Sequence, residues 1–269
     1  MALKEVENYY TIAQAKKVLG VNNDTIYSYV ENGALKRIVP PGKKQGLYRR
    51  SEVDQLAREL RAFIAQRTTL STQCNRVTTR EEMAQCMQIS QELFGLGVLD
   101  VGECTHLLET PYICYALKTD QEIIGFTGLI PLKPGRLKGV LAQALPLKVP
   151  SEDMTTPTGN ETIDIYIDVM AVKPGFTQNE KHHYGSRLIA KVAEIVVDYG
   201  KNGTTIETIA ARSNMPDGIR LLRRIGFTEV QRTTPERRTF IINVKESGIP
   251  FIEQYKEAFA KRNQEHTAG

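Results

Sequence analysis

The chain has 269 residues, 41% of them hydrophobic, and Lys plus Arg exceed Asp plus Glu by 35 to 31. That length can bury one large core or two modest ones without metal or disulfide staples, and no apolar run approaches the roughly 20 residues of a membrane helix. Cys74, Cys86, Cys104 and Cys114 show no C-x-x-C spacing, so neither a zinc site nor a redox pair is signalled and free thiols are expected.

The first residues lack the apolar core of a signal peptide, and a cytoplasmic protein with no membrane partner is expected. Charge is unevenly placed. Residues 1–68 hold 12 Lys/Arg against 7 Asp/Glu, whereas the remainder holds 23 against 24. The basic excess points to an anionic partner for the first quarter alone. Ile12, Ala15, Val18 and Leu19 recur at helical spacing and stop at Gly20. Asn22 then caps a second helix over residues 23–30, which ends at Asn32-Gly33. Residues 35–39 and 47–50 form a hairpin around the Pro-Pro-Gly-Lys-Lys tip, and a third helix opens at Ser51.

The segments Leu19-Gly20-Val21-Asn22, Thr25-Ile26-Tyr27, Glu31-Asn32-Gly33-Ala34-Leu35 and Tyr48-Arg49-Arg50-Ser51-Glu52-Val53 resemble the winged helix-turn-helix of the MerR and excisionase-like group. The resemblance implies that double-stranded DNA is the partner, with the second helix in the major groove. Asn23, Thr25, Tyr27 and Ser28 would lie on that helix's exposed face, and Lys43, Lys44, Arg49 and Arg50 of the wing would contact phosphates. One departure is that Asn23 and Asp24 stand where the group often carries arginine. Val53, Leu56, Leu60, Phe63 and Ile64 form a stripe on the third helix that serves either its own domain or a homodimer.

Residues 1–67 are thus expected to be one domain and 68–76 a polar linker. A larger domain is expected over 77–249, and a final helix and tail over 250–269. Within the larger domain the pattern predicts a helix over 80–94 and a hairpin of strands 113–117 and 122–132, then a long excursion over 133–162. Ile163, Ile165, Ile167 and Val169 alternate with Asp164, Tyr166 and Asp168, which makes a strand with two different faces. A helix from about Gly185, a strand over 205–210, a helix ending at Ile225-Gly226-Phe227 and a closing strand near 237–244 follow. The expected fold class is two-domain α+β: a small helical winged helix-turn-helix, then a mixed central sheet flanked by helices.

Asp168 to Pro174, the following helix, the strand near Ile206 and the run from Asn214 to Phe227 resemble, in order and spacing, the GNAT acyltransferase superfamily. The resemblance implies acetyl-CoA or another acyl-CoA as ligand and no metal. Backbone groups of Met170, Ala171 and Val172 would hold the pantetheine arm, and Lys181, His183, amides near Gly185 and Ser186, and Asn214 would serve the rest of the coenzyme. Asp168 falls where the family often places the carboxylate that deprotonates the amine, and it reads equally as a carboxylate pairing within the sheet. Two departures stand out. The phosphate loop is longer and poor in glycine, and Leu222 occupies the position of the family's proton-donating tyrosine. Three readings follow: a transcriptional regulator with an acyl-CoA-binding effector domain, an N-acyltransferase carrying a DNA- or substrate-targeting module, or a structural or interaction protein in which both domains have lost their original activities.

Overall fold

The computed structural model describes residues 8–41, 45–65, 72–95, 101–119, 122–144, 149–230 and 237–267. The amino-terminal unit runs from β1 (Tyr9–Thr11) into α1 (Ile12–Leu19) and α2 (Asn23–Glu31), then the hairpin of β2 (Arg37–Ile38) and β3 (Leu47–Arg49), then α3 (Arg50–Ala65). Thr11 and Gln14 form a capping box at the start of α1, and Gly20 ends that helix at φ 70°, a left-handed conformation free of steric cost for glycine. Asn22 Oδ1 accepts from Thr25 N at 2.9 Å and so opens α2. β3 is the middle strand of a three-stranded antiparallel sheet. Ala15, Leu19, Ile26, Tyr29, Leu35, Tyr48, Val53 and Leu56 form its core, with Leu60 packed against them. The inner part of the α3 stripe therefore serves its own unit. The side chains of Phe63 and Ile64, like Lys43 and Lys44, lie outside the described residues.

The larger unit comprises β4 (Gln73–Arg76), α4 (Arg80–Phe94), α5 (Val101–Leu107), β5 (Ile113–Lys118), β6 (Ile123–Leu132), α6 (Leu137–Leu141), β7 (Thr162–Val172), α7 (Gln178–Lys201), β8 (Thr205–Ser213), α8 (Pro216–Ile225), β9 (Thr228–Val230), β10 (Arg238–Asn243) and α9 (Pro250–Thr267). Among the described residues its strands are ordered β4-β5-β6-β7-β8-β10-β9, and only β7 and β8 are parallel, joined by the α7 crossover. This is the two-domain α+β architecture with a mixed, helix-flanked sheet that the sequence predicts. One boundary differs: Gln73–Arg76, expected in the linker, pairs with β5 as the sheet's edge strand. The final helix, α9, packs along α7.

β6 is buried along its whole length because both faces of the sheet are covered. On one face Met83, Cys86 and Ile89 of α4 meet Phe126, Ile130, Tyr166 and Ala210. On the other, Val192 and Val196 of α7 and Ile252 of α9 meet Ile163, Ile165, Ile206 and Phe240. Tyr255 ties α9 to the start of β8: its hydroxyl donates to Thr204 O at 3.0 Å and accepts from Ile206 N at 2.7 Å. Tyr255→Phe would leave that buried N–H unpaired, and a loss of about 1–3 kcal/mol is expected in urea denaturation.

Candidate functional site

β7 and β8 pair from Thr162 opposite Thr205 to Ile167 opposite Ala211 and no further. Beyond that point β7 pairs only with β6, out to Val172 opposite Gly125, and β8 only with β10, out to Ser213 opposite Arg238. The strands part at their carboxy-terminal ends, where sheets of this kind receive ligands. Met170, Ala171 and Val172 lie on the β7 edge facing this gap, and that edge has no strand partner among the described residues. Asn214 is exposed on the opposite side, just beyond the end of β8.

The register of β6 and β7 shifts between Gly128, opposite Val169, and Leu129, opposite Ile167, which leaves Asp168 as the extra residue of a β-bulge. Strict alternation places Val169 on the face away from Asp168. The bulge turns both to the α4 side, where Val169 packs on the core and Asp168 Oδ2 accepts from the Tyr112 hydroxyl at 3.4 Å. Burial raises the Asp168 carboxyl above the usual carboxylate range, against the opposing effects of the Tyr112 hydrogen bond and the charges of Arg237 and Arg212. Gly128 makes the arrangement sterically feasible, because a Cβ there would overlap the Tyr112 hydroxyl and come within 3.0 Å of Val169 Cγ1. Gly128→Ala is therefore expected to push Tyr112 off Asp168 and cost about 1–3 kcal/mol in a denaturation midpoint.

The same wall holds two arginines to which the sequence pattern assigns no role. Arg212 is only 5% exposed: Nε donates to the Tyr166 hydroxyl at 3.1 Å, and Nη1 donates to Leu141 O at 3.2 Å and Gln143 O at 2.6 Å. Its Nη2 is buried with no hydrogen-bond partner. Arg237 lies 5.7 Å over the Phe94 ring and also leaves a buried Nε unpartnered. A signal for Arg212 existed in the sequence, since it follows Ala210 by two residues and so falls on the same inward face.

The start of α7 corrects the expected phosphate loop. The helix begins at Gln178, where the Thr177 hydroxyl accepts from Glu180 N at 3.4 Å and Glu180 Oε2 accepts from Thr177 N at 2.8 Å. The run through His183, read as loop, is helix from that capping box onward. Gly185 and Ser186 lie two turns inside α7, where backbone amides are used in intrahelical bonds. The Ser186 hydroxyl is also occupied, donating to His182 O at 2.6 Å. Lys181 and His183 are half-buried on the first turns, and His183 Nε2 has no hydrogen-bond partner. Lys173 pairs with Glu122 at 2.7 Å. Leu222 packs against the second core.

In the amino-terminal unit, Asn23 and Tyr27 are exposed on α2, and Arg49 and Arg50 are exposed where β3 meets α3. Residues 9–66 match the family model described as a helix-turn-helix domain. The amino-terminal unit is a helix-turn-helix domain. No curated protein matches the chain. Among solved structures, the chain is similar to Arabidopsis thaliana NAA60 in complex with acetyl-CoA, at 13% identity over 65% of this chain and 99% of that one, with a TM-score of 0.44. It is likewise similar to an acetyltransferase from Streptococcus agalactiae, at 9% identity over 65% and 99% with a TM-score of 0.43. A third likeness is to AtaTR bound with acetyl-CoA, at 15% identity over 68% and 96% with a TM-score of 0.44.

The helix-turn-helix domain is docked on the larger unit through its second helix. Gly248 N donates to Thr25 Oγ1 at 3.2 Å, the Ser28 and Thr228 hydroxyls are 3.3 Å apart, and Asn32 Nδ2 donates to Phe227 O at 2.9 Å. Arg224 at the end of α8 pairs with Glu59 of α3 at 3.4 Å. Thr25 is 5% exposed, and its hydroxyl also donates to Asn22 Oδ1 at 2.8 Å. This corrects the expectation of Thr25 on an open face. Positions 22, 25, 28 and 32 form one helical stripe, and that stripe faces the turns at Gly226–Thr228 and Gly248.

Proposed function

We propose that the protein is a DNA-binding transcriptional regulator whose carboxy-terminal domain is of the GNAT type, binds acyl-CoA or another small ligand, and biases DNA binding. The observation that carries this reading is the dock of α2 on the larger unit. Helix α8 connects the two sites: it starts beside the β8 end of the cleft and finishes at Gly226, against the helix-turn-helix domain. Ten residues span about 15 Å, so a ligand that moves the start of α8 changes the surface that holds α2. For the DNA side, the basic first quarter and the exposed Asn23, Tyr27, Arg49 and Arg50 supply base and phosphate contacts, with Lys43 and Lys44 in the wing.

The free β7 edge at Met170–Val172 suits the amide-bearing arm of acyl-CoA. The α7 start suits its pyrophosphate poorly, because the Glu180 carboxylate already caps that turn. Ligand sensing is therefore preferred over turnover. The second reading, N-acyl transfer, is favoured by the bulged, half-buried Asp168, which would accept the proton of an incoming ammonium. Leu222 has no proton to give the departing thiolate.

Duplex binding by the full chain, measured by fluorescence anisotropy across a salt series with and without acetyl-CoA, tests the proposal. Affinity should fall with salt as phosphate contacts are screened, and it should change on adding the ligand. No duplex binding at any salt sinks the regulator. Thiol release with amine acceptors that disappears in Asp168→Asn would establish the transferase instead.

A further inference from the structure

Resting on the reading of the β7/β8 gap as a ligand cleft, we propose that the wall built by Asp168, Tyr112, Arg212 and Arg237 binds a small zwitterion: a primary ammonium beside a carboxylate or phosphate. The argument starts from what the wall leaves unsatisfied. A buried guanidinium is costly unless its charge is paired and its N–H groups are bonded. Arg212 satisfies Nε and Nη1 with neutral oxygens, yet its buried Nη2 has no partner. Arg237 adds a second buried and unpartnered N–H. Among the described residues no carboxylate is in ion-pair contact with either guanidinium.

The charges of both arginines act on the Asp168 carboxylate, which accepts from the Tyr112 hydroxyl at 3.4 Å. An anionic group that reaches the wall would take the unpartnered N–H groups of the arginines by charge-assisted bonds, the geometry guanidinium serves best. An ammonium beside it would face Asp168 and balance that charge. A plain amine answers only the second need, and a plain acid only the first. The site discriminates because each partial ligand leaves one charge of the wall unmet.

The test is calorimetric titration of the full chain with the α-amino acids and phosphoethanolamine, with their counterparts lacking the anionic group, with their counterparts lacking the amine, and with acetyl-CoA. At least one zwitterion should bind. Both kinds of counterpart should bind roughly tenfold or more weakly, and Arg237→Gln, checked for folding by circular dichroism, should weaken the zwitterion by a similar factor. Whether an α-amino acid or phosphoethanolamine binds then identifies the anion. If the plain amines bind as well as the zwitterions, or if acetyl-CoA binds and no zwitterion does, the inference is overturned while the cleft reading stands. If acetyl-CoA and every zwitterion fail, both fall together.

Discussion

Gly248→Ala is expected to release the helix-turn-helix domain and tighten DNA binding by about tenfold or more. A Cβ at Gly248 would lie 2.5 Å from Asn22 Nδ2 and 2.7 Å from Asn22 Oδ1, so the added methyl acts as a wedge under the start of α2. The bonds it disturbs are few. Gly248 to Thr25 and Asn32 to Phe227 contribute about 0.5–1.5 kcal/mol each, and the exposed Glu59–Arg224 pair contributes roughly 0–1 kcal/mol. A dock of about 1.4–2 kcal/mol would hold the binding-competent fraction to about 3–10%, which is the gain available on release. Anisotropy at fixed ionic strength reads it directly. Because the wedge also presses on the Asn22 cap, a fall in affinity with loss of helical signal would report an uncapped α2 instead. Asn32→Ala removes the bond to Phe227 from the other end of α2 and should raise affinity several-fold with the cap intact. No gain in either variant would mean the dock does not restrain DNA binding.

Much of this arrangement is legible in the sequence, and the failures have identifiable causes. The helix over 80–94 and strand β7 stand out because a 15-residue apolar period and a four-fold alternation carry enough repeats to define a face. Strands β1, β4 and β9 have three or four residues, too few to show a period, and they exist because a neighbouring strand supplies the hydrogen bonds. The early start of α7 was encoded in Thr177 and Glu180, three residues apart. Gly185 masks it, since glycine is tolerated inside a helix at about 1 kcal/mol and is no reliable sign of a loop. The bulge at Asp168 is invisible to pattern reading because the alternation continues unbroken through Val169. Its cause lies in the partner strand, where Gly128 leaves room for Tyr112 to reach across. Thr25 was misplaced for a related reason: an isolated helix pattern shows which residues face their own core, not which polar stripe meets a second domain.

The second large effect concerns Asp168. Asp168→Asn should make the protein more stable at neutral pH while weakening any amine-bearing ligand, and on the transfer reading it should cut turnover by about 10²–10⁴-fold. The sign follows from the raised carboxyl of the folded chain, caused first by burial. A raised folded value means the fold binds the proton more tightly than the unfolded chain, whose carboxyl titrates near about 3.9. The stability contributed by the protonated form is complete below that value and is lost as pH rises through the folded one. Asparagine is neutral throughout, so melting curves of the two proteins should coincide in acid and separate as pH rises. Each kcal/mol recovered corresponds to about 2–4 °C for a domain of this size. The reverse order at neutral pH would mean that Arg212 and Arg237 hold Asp168 charged as an internal ion cluster. Such a cluster would leave no unmet charge for a ligand, and Asp168 would be a structural carboxylate rather than a base.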